Sequence, residues 1–389
     1  MLQSRLTPAL RFLIPVGCGV AAANLYYCQP LLGAFARSFH VSEQEASFIN
    51  ICTQMGYGLG LLLLVPLGDK IPRRRLLVVM HLLAAALLLG LTFSTGLVGL
   101  YLFSALIGVA STACQIFIPL AAHLASDAER GKIVGTAMGG LLMGILASRT
   151  LSGLVAQFWG WQAMYYLAAV LMVVMALLVF RLIPVEEPAF RGSYRQLMAS
   201  LWSLFRSQPV IRESAWIGAC LFGSISAFWS TMAFYLEAPP FQYALSLIGL
   251  FGLIGAGGAL ISPFIGKVTD RSGPFKPMRW GLVLMVLGWG TLFMGYQSIV
   301  WVIAGIVLID MGLQSTHVPN LSRNYSLLPE ARTRLNTLYM TAFFTGGTLG
   351  SSIGTLAWNR AGWTGVCFSG LLMVVLGAVP ILRRIGHKR

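Results

Sequence analysis

The feature that most constrains this chain is a series of twelve apolar runs, each about 20 residues long. A run of that length crosses the ~30 Å hydrocarbon core of a bilayer as a helix, whereas a transmembrane barrel would show shorter segments of alternating hydrophobicity. With 57% hydrophobic and only 10% charged residues, the chain has more apolar surface than a water-soluble core could bury. The sequence therefore predicts an all-α integral membrane protein. The predicted spans are 12–36, 45–68, 75–94, 97–122, 132–157, 160–181, 211–236, 246–268, 278–297, 299–321, 334–358 and 362–382.

The positive charges predict which side of the membrane each loop faces. All but three of the 27 Lys and Arg residues fall in tails, loops or span ends on the side that holds both termini. The exceptions are Arg37 and Arg360 on the other side and Arg149 inside a span. Because cytoplasmic loops of membrane proteins carry an excess of Lys and Arg, we expect both termini in the cytoplasm. The net charge of +15 then reflects topology and not nucleic-acid binding.

The two halves of the chain repeat each other. Asp69 follows the second span and Asp270 the eighth, 201 residues later, while Gly160 and Gly362, each followed by Trp, lie 202 residues apart. Each half has an even number of spans, so the repeat is parallel, an arrangement typical of secondary transporters with a substrate site between the halves. The predicted parts are an N-terminal six-helix bundle over 1–183, a cytoplasmic linker over 184–209 and a C-terminal six-helix bundle over 210–389.

The loop between the eighth and ninth spans reads GKVTDRSG, with Asp270 and Arg271 between Gly266 and Gly273. It resembles the second-half loop signature of the major facilitator superfamily. The first-half copy keeps Asp69, Lys70 and Arg73, but Val65 and Pro72 stand where the family usually has glycines. The resemblance implies the major facilitator fold, transport by alternating access, and cavity walls formed by spans 1, 4, 7 and 10.

The resemblance also implies a conformational latch on the cytoplasmic side. A carboxylate can accept hydrogen bonds from the free N–H groups at a helix N-terminus, and arginines can bridge to nearby carboxylates. Asp69 would cap the start of the eleventh span when that side is closed, and Asp270 would act similarly toward the fifth. The implied latch residues are Asp69, Arg73, Gly266, Asp270, Arg271 and Gly273.

The fourth span is similar to that of drug exporters of this superfamily, but with one departure. Leu106, Gly108 and Ala110 fit the exporter pattern, while Ser104 occupies the place of an arginine that exporters use in proton coupling. The fifth span of such exporters carries a Gly-Pro pair, and here the span is glycine-rich without the proline.

Small residues recur every four positions in the fifth and eleventh spans. Such faces allow helix backbones to approach closely in lipid, where no hydrophobic drive brings helices together. We therefore expect these faces to pack against neighbouring helices. Their members are Gly140, Gly144, Ser148 and Ser152 in the fifth span and Ala342, Gly346, Gly350 and Gly354 in the eleventh.

Two ionisable residues, Asp310 and Arg149, lie deep in predicted spans. A charge at that depth costs several kcal/mol unless it is paired, hydrated or neutralised. One interpretation is a buried ion pair that organises the bundle; another is that Asp310 takes up and releases a proton as the cavity changes sides, and the two are compatible. His317, two turns beyond Asp310, is either a proton relay or a hydrogen-bonded structural residue.

Polar side chains on the spans expected to line the cavity form the candidate substrate site. Gln314 and His317 follow Asp310 at helical spacing, so the three form one stripe. The candidate cavity residues are Asn24, Tyr27, Gln29, Ser104, Ser111, Gln115, Trp229, Thr231, Tyr235 and Gln314.

These observations predict a proton-coupled exporter of small amphiphilic or polar organic molecules in a bacterial inner membrane. The alternative is a facilitative or proton-symporting carrier for a sugar or other metabolite. We expect a monomer whose partners are substrate, protons and the lipid bilayer, with the proton gradient as energy source and no bound cofactor. The six cysteines all fall in predicted spans without metal-ligand spacing, and the clustered catalytic residues of a membrane enzyme are missing from the sequence.

Overall fold

The computed structural model describes residues 7–125, 129–185, 192–295, 297–328 and 332–383. Every regular element in these ranges is a helix, and the bounds are as follows. They are α1 (Pro8–Ala23), α2 (Leu32–Phe39), α3 (Glu43–Leu63), α4 (Arg73–Thr92), α5 (Leu97–Ser111), α6 (Cys114–Leu124), α7 (Arg130–Trp159), α8 (Trp161–Leu182), α9 (Tyr194–Ser207), α10 (Pro209–Glu237), α11 (Leu245–Ile254), α12 (Ala256–Ser272), α13 (Phe275–Met294), α14 (Ile299–Tyr325) and α15 (Arg332–Arg383).

These helices form twelve spans, because three spans are broken and α15 contains two. The pairs α1 and α2, α5 and α6, and α11 and α12 each make one span, and α15 turns back at Ala361 and Gly362, where the backbone leaves helical angles. Nine of the described helical segments are long and apolar enough to cross a membrane. The prediction of an all-α, twelve-span membrane protein is therefore confirmed.

The breaks in the spans have local causes. Ser111 Oγ donates to the carbonyl of Ile107 at 2.6 Å and Thr112 Oγ1 to that of Val109 at 2.8 Å, and such side-chain bonds compete with the helical ladder. In the first span Pro30, which lacks an N–H, lies in the one-turn 3₁₀ helix Gln29–Leu31 between α1 and α2. A broken helix at bilayer depth is tolerated where it lines a cavity, and all three broken spans contribute residues to the cavity described below.

The exterior of the bundle is apolar. Large hydrophobic side chains such as Val98 and Met294 are more than four-fifths exposed, which suits a surface solvated by lipid and not by water. We refer to the side that holds the first residue of α1 and the last residue of α15 as the terminal face, and to the other side as the opposite face.

Of the predicted linker 184–209, residues 186–191 lie outside the described ranges, as do the tail 384–389 and residues 126–128 of the loop before the fifth span. The described part of the linker forms α9, whose first turn is closed by a capping box between Ser193 and Gln196. Leu197 and Leu201 are buried, and Tyr194 donates a 2.9 Å hydrogen bond to the carbonyl of Leu63. The division into 1–183, 184–209 and 210–389 stays a prediction.

The small-residue faces pack as predicted, and they do so in the same way in both halves. A Cβ at Gly140 or Gly144 would collide with the backbone of α1 at Pro15 and Gly19, and one at Gly346 with the backbone of α10 at Ala219. The fifth span thus packs on the first, and the eleventh on the seventh. The Oγ of Ser152 in α7 also donates to the carbonyl of Tyr27, which follows α1, at 2.6 Å.

Replacing Gly144 by Ala should lower the free energy of unfolding by about 1–3 kcal/mol, the usual cost of overpacking, because backbone atoms of Gly19 occupy the place of the new methyl group. Gly139→Ala on the same helix is the matched control, since a Cβ there meets nothing within 4 Å. Thermal unfolding of both variants in detergent checks this. Equal midpoints for the two would show that the close approach of α1 and α7 is unimportant for stability.

A central cavity with two buried charges

The main cavity of the described chain lies between the two halves and encloses about 1060 Å³ of empty space, including its open mouth. Its walls come from α1, α3, α6 and α7 of the first half and from α10, α14 and α15 of the second, with Gly255 at the break between α11 and α12.

Aromatic rings make up much of the wall. Phe222 of α10 stacks on Phe343 of α15, with ring centroids 4.0 Å apart and an interplanar angle of 16°. Tyr57 of α3 contacts Phe344 with centroids 4.3 Å apart. Gln115 donates to the hydroxyl of Tyr57 at 3.1 Å. The cavity therefore combines apolar surface with a few oriented polar groups, as ligand sites commonly do.

Arg149 is fixed on this wall by three contacts. Its Nε donates a 2.7 Å hydrogen bond to Oε1 of Gln29. Its guanidinium carbon lies 3.9 Å from the ring centroid of Trp229 and 4.8 Å from that of Tyr26, so two aromatic faces attract the cation. The side chain is buried, with the residue only 5% exposed.

Asp310 lines the same cavity from α14. Its Oδ2 is buried without a hydrogen-bond partner and lies close to Gly255, where an added Cβ would be 2.9 Å from it. The charges of Asp310 and Arg149 attract each other through space. Among the described residues, however, no side-chain nitrogen of a basic residue lies within 4.0 Å of the Asp310 carboxylate, which is the limit for an ion pair. The buried ion pair considered from the sequence is not formed in this conformation.

His317 and Gln314 lie on the predicted stripe with Asp310, and all three line the cavity. His317 Nδ1 and the Tyr339 hydroxyl are 2.9 Å apart in a hydrogen bond, and the imidazole packs against Phe343 with ring centroids 4.8 Å apart. Gln314 Oε1 accepts from Ser262 Oγ at 3.4 Å. A relay role for His317 stays a prediction.

Of the ten predicted cavity residues, Gln29, Gln115, Trp229 and Gln314 lie on the wall. The other six lie off this wall in the described conformation, and their role as cavity residues stays a prediction. A helix turns by 100° per residue, so a residue on the right span can face the wrong way. Asn24 donates to Met172 Sδ, and Tyr27 lines a groove outside the bundle between α1 and α7. Ser104 and Ser111 are buried in α5. Thr231 is bonded to the carbonyl of Ala227, and Tyr235 is stacked on Trp363.

Sequence reasoning missed the contributions of spans 2, 5, 8 and 11, because it assigned the wall only to spans 1, 4, 7 and 10. Gln54 and Tyr57 of α3 and Phe344 of α15 are the main omissions. A signal was present: Asn50 and Gln54 place two amides in the middle of the second span, one helical turn apart.

The two halves are joined on the opposite face. Arg37 donates to Glu237 at 2.7 Å, and Trp358 Nε1 donates to Glu43 at 2.6 Å. Between the fifth and eighth spans, Gly153 of α7 faces the backbone of α11 so closely that a Cβ would collide with it. These contacts close the cavity on that side.

The predicted latch residues lie at the terminal face. Asp69 pairs with Arg73 at 3.7 Å and interacts electrostatically with Arg334 of the other half. Gly266 has nothing within 4 Å of the place of a Cβ, and Asp270 and Arg271 are exposed. Gly273, with φ of 76°, ends α12 in a conformation that favours glycine. No described atom of a neighbouring helix therefore lies close to Gly266 in this conformation.

Comparisons with known proteins agree with this architecture. The family model of the Major Facilitator Superfamily matches residues 16–351. The chain is 43% identical over 371 residues to the uncharacterized transporter YgaY of Escherichia coli O157:H7, covering 95% of this chain and 94% of that protein. It is 33% identical over 366 residues to the Streptomyces coelicolor protein named probable transporter SCO4007, covering 94% and 85%.

A solved structure has the same fold at low sequence identity. It is a bacterial homolog of the human lysosomal transporter Spinster in an inward-facing and unoccupied conformation. The TM-score is 0.77 at 11% identity, and the match covers 97% of this chain and 96% of that one.

A cysteine at position 115 should react with a water-soluble thiol reagent at least about ten times faster than one at position 111. Reactivity requires access, and of these two residues only Gln115 lines the cavity. The native cysteines are replaced in both Gln115→Cys and Ser111→Cys. Equal rates would mean that the wall is assigned to the wrong face of the fourth span.

Proposed function

Because the chain belongs to the major facilitator superfamily and is a membrane transporter, we propose that it exports small organic molecules by alternating access in exchange for protons. The cavity between the halves is the substrate site, and Asp310 is the group that carries the proton. We place the protein in a bacterial inner membrane, as its bacterial relatives and the positive charges of its terminal face favour.

One observation supports this proposal above the others: Asp310 lies on the cavity wall with a buried oxygen that has no hydrogen-bond partner. Arg149 cannot discharge itself, because a guanidinium stays protonated in proteins, whereas a carboxylate can accept a proton. When the cavity loses contact with water, protonation is the least costly state for Asp310. When the cavity opens to water or substrate approaches, the free-energy cost of ionising Asp310 falls again.

Arg149 supplies the second part of the coupling. In the described conformation its guanidinium is held by Gln29, Trp229 and Tyr26, away from Asp310. Ionised Asp310 would attract Arg149 across the cavity, and protonated Asp310 would release it to these three residues. Exchange of a proton would thereby move the side chain of Arg149, which belongs to the fifth span and contacts the first and seventh.

The substrate binds, on this proposal, by stacking and by a small number of hydrogen bonds. Phe222, Phe343 and Phe344 offer aromatic faces, and Gln115 and Gln314 offer amides. Such walls fit amphiphilic molecules with a ring system and polar substituents.

Uptake of a metabolite, facilitated or together with protons, is the second candidate, and one observation favours it. Ser104, at the place of the exporters' coupling arginine, is buried and does not line the cavity. The fourth span therefore contributes no charge to the site, unlike that of the drug exporters it otherwise resembles.

The test is a substrate screen in everted membrane vesicles with an inward-acid gradient, in which proton flux is recorded. Wild type should accumulate its substrate and release protons. Asp310→Asn should retain substrate binding but lose proton-coupled flux by at least about tenfold, because an amide cannot titrate. Glu45→Gln is the matched control, since it removes a carboxylate at the capping box of α3, outside the cavity, while Gln preserves the cap.

If Asp310→Asn carries substrate at the wild-type rate with the same pH dependence, Asp310 is not the proton carrier. If wild-type vesicles accumulate substrate only under the opposite gradient, the direction is uptake and the second candidate is correct.

A further inference from the structure

Gln29 contacts the cavity on one side and the interface between the halves on the other. Its Oε1 accepts the 2.7 Å hydrogen bond from Arg149 Nε, and its Nε2 donates to Oδ1 of Asn50 at 3.5 Å. Gln29 is 2% exposed and Asn50 is fully buried, so water does not replace either bond. The side chain thus joins the fifth span to the second through the first.

Asn50 continues this chain of hydrogen bonds into the other half. Its Nδ2 donates to Ser351 Oγ of α15 at 3.4 Å, and Gln54 Nε2 donates to the same oxygen at 3.0 Å. Ser351 Oγ donates in turn to the carbonyl of Ser226 in α10 at 3.4 Å. One hydroxyl of the second half therefore receives two amide donors of the first, at the depth where the cavity ends.

The geometry points to Gln29 as a positioning residue that couples Arg149 to the Ser351 contact between the halves. While Gln29 accepts from Arg149, its amide is oriented so that Nε2 reaches Asn50, and Asn50 in turn keeps its own Nδ2 for Ser351. Hydrogen bonds in such a buried chain support one another's orientation.

The consequence for transport rests on the alternating access proposed above. When Arg149 leaves Gln29, for Asp310 or for a bound molecule, Gln29 is free to rotate. Asn50 Oδ1 then loses one of its two donors and keeps only the weaker Cys28 thiol at 3.7 Å. The contact at Ser351 then weakens, and the halves separate more easily on the opposite face. Arg149 is in this way linked to the closure of the cavity without touching the second half's Ser351.

A single substitution separates the two functions of Gln29. Gln29→Glu keeps an acceptor for Arg149 and strengthens that bond by adding charge, but a carboxylate cannot donate to Asn50. Asn50 would then turn its Nδ2 toward Glu and away from Ser351. Ser351→Ala removes the hydroxyl that receives both amide donors, and it therefore shows the full effect of losing this contact between the halves. Gln196→Glu is the matched control, because it makes the same amide-to-carboxylate change at the capping box of α9, outside the cavity, where Glu preserves the cap.

The readout is the distance between spin labels at positions 95 and 359, which are exposed loop and helix-end positions of the two halves on the opposite face. It is measured by double electron–electron resonance on the full chain in nanodiscs, without substrate or proton gradient and with the native cysteines replaced. Losing a hydrogen bond of this kind should raise the ratio of the open to the closed distance by about threefold to tenfold. Gln29→Glu and Ser351→Ala should both show this increase, and Gln196→Glu should show the wild-type ratio.

The inference is overturned if Gln29→Glu keeps the wild-type ratio, if Ser351→Ala does so, or if Gln196→Glu shifts the ratio as much as Gln29→Glu. Should Gln29→Glu fail to fold, Asn50→Asp replaces it, because Asp still accepts from Gln29 but cannot donate to Ser351. Since the measurement needs neither transport nor protons, its failure is distinct from a failure of proton coupling at Asp310.

Discussion

The structure depends on the position of one permanent cation in a low-dielectric cavity. Arg149 cannot lose its proton, so the protein must stabilise its charge wherever the side chain lies. In the described conformation two aromatic faces and one amide oxygen do this, while Asp310 lines the same cavity beyond ion-pairing distance. On the function proposed above, the charge of Arg149 can be balanced in two ways, by these contacts or by the carboxylate of Asp310, and protonation of Asp310 would select the first.

The repeat would allow such a change at one side chain to move the two halves as units. In both halves the first helix packs on the fifth through glycines, at Gly19 and Gly144 in one and at Gly223 and Gly350 in the other. Each half is thus a tightly packed unit. The halves meet through the packing of α7 on α11 and the Tyr57–Phe344 ring contact, and also through a small set of polar contacts. Arg37 with Glu237 and Ser351 with its two amides join them on the opposite face. Breaking a few hydrogen bonds costs less than repacking either half.

The fold could be predicted from the sequence because lipid imposes strong rules. Span length, loop charge and the internal repeat all follow from bilayer thickness and topology, and the structure has the helices that they predict. The site was harder to predict from the sequence. Asp310 and Arg149 were visible because charge at depth is rare, but the neighbours Tyr26 and Tyr27 differ only by a rotation about the helix axis, and only Tyr26 faces the cavity. The parts played by Gln54 and Ser351 depend on contacts between residues far apart in the chain, which periodicity does not reveal.

The central claim is that Asp310 changes its protonation state within the membrane. Infrared difference spectroscopy of the reconstituted protein, taken as pH is raised through the neutral range, measures this directly through the carbonyl band of a protonated carboxyl group. The account predicts a band that disappears as the pH rises and that is missing at every pH in Asp310→Asn. A band of equal size in wild type and Asp310→Asn, or none in wild type at any pH at which the protein is folded, would contradict it.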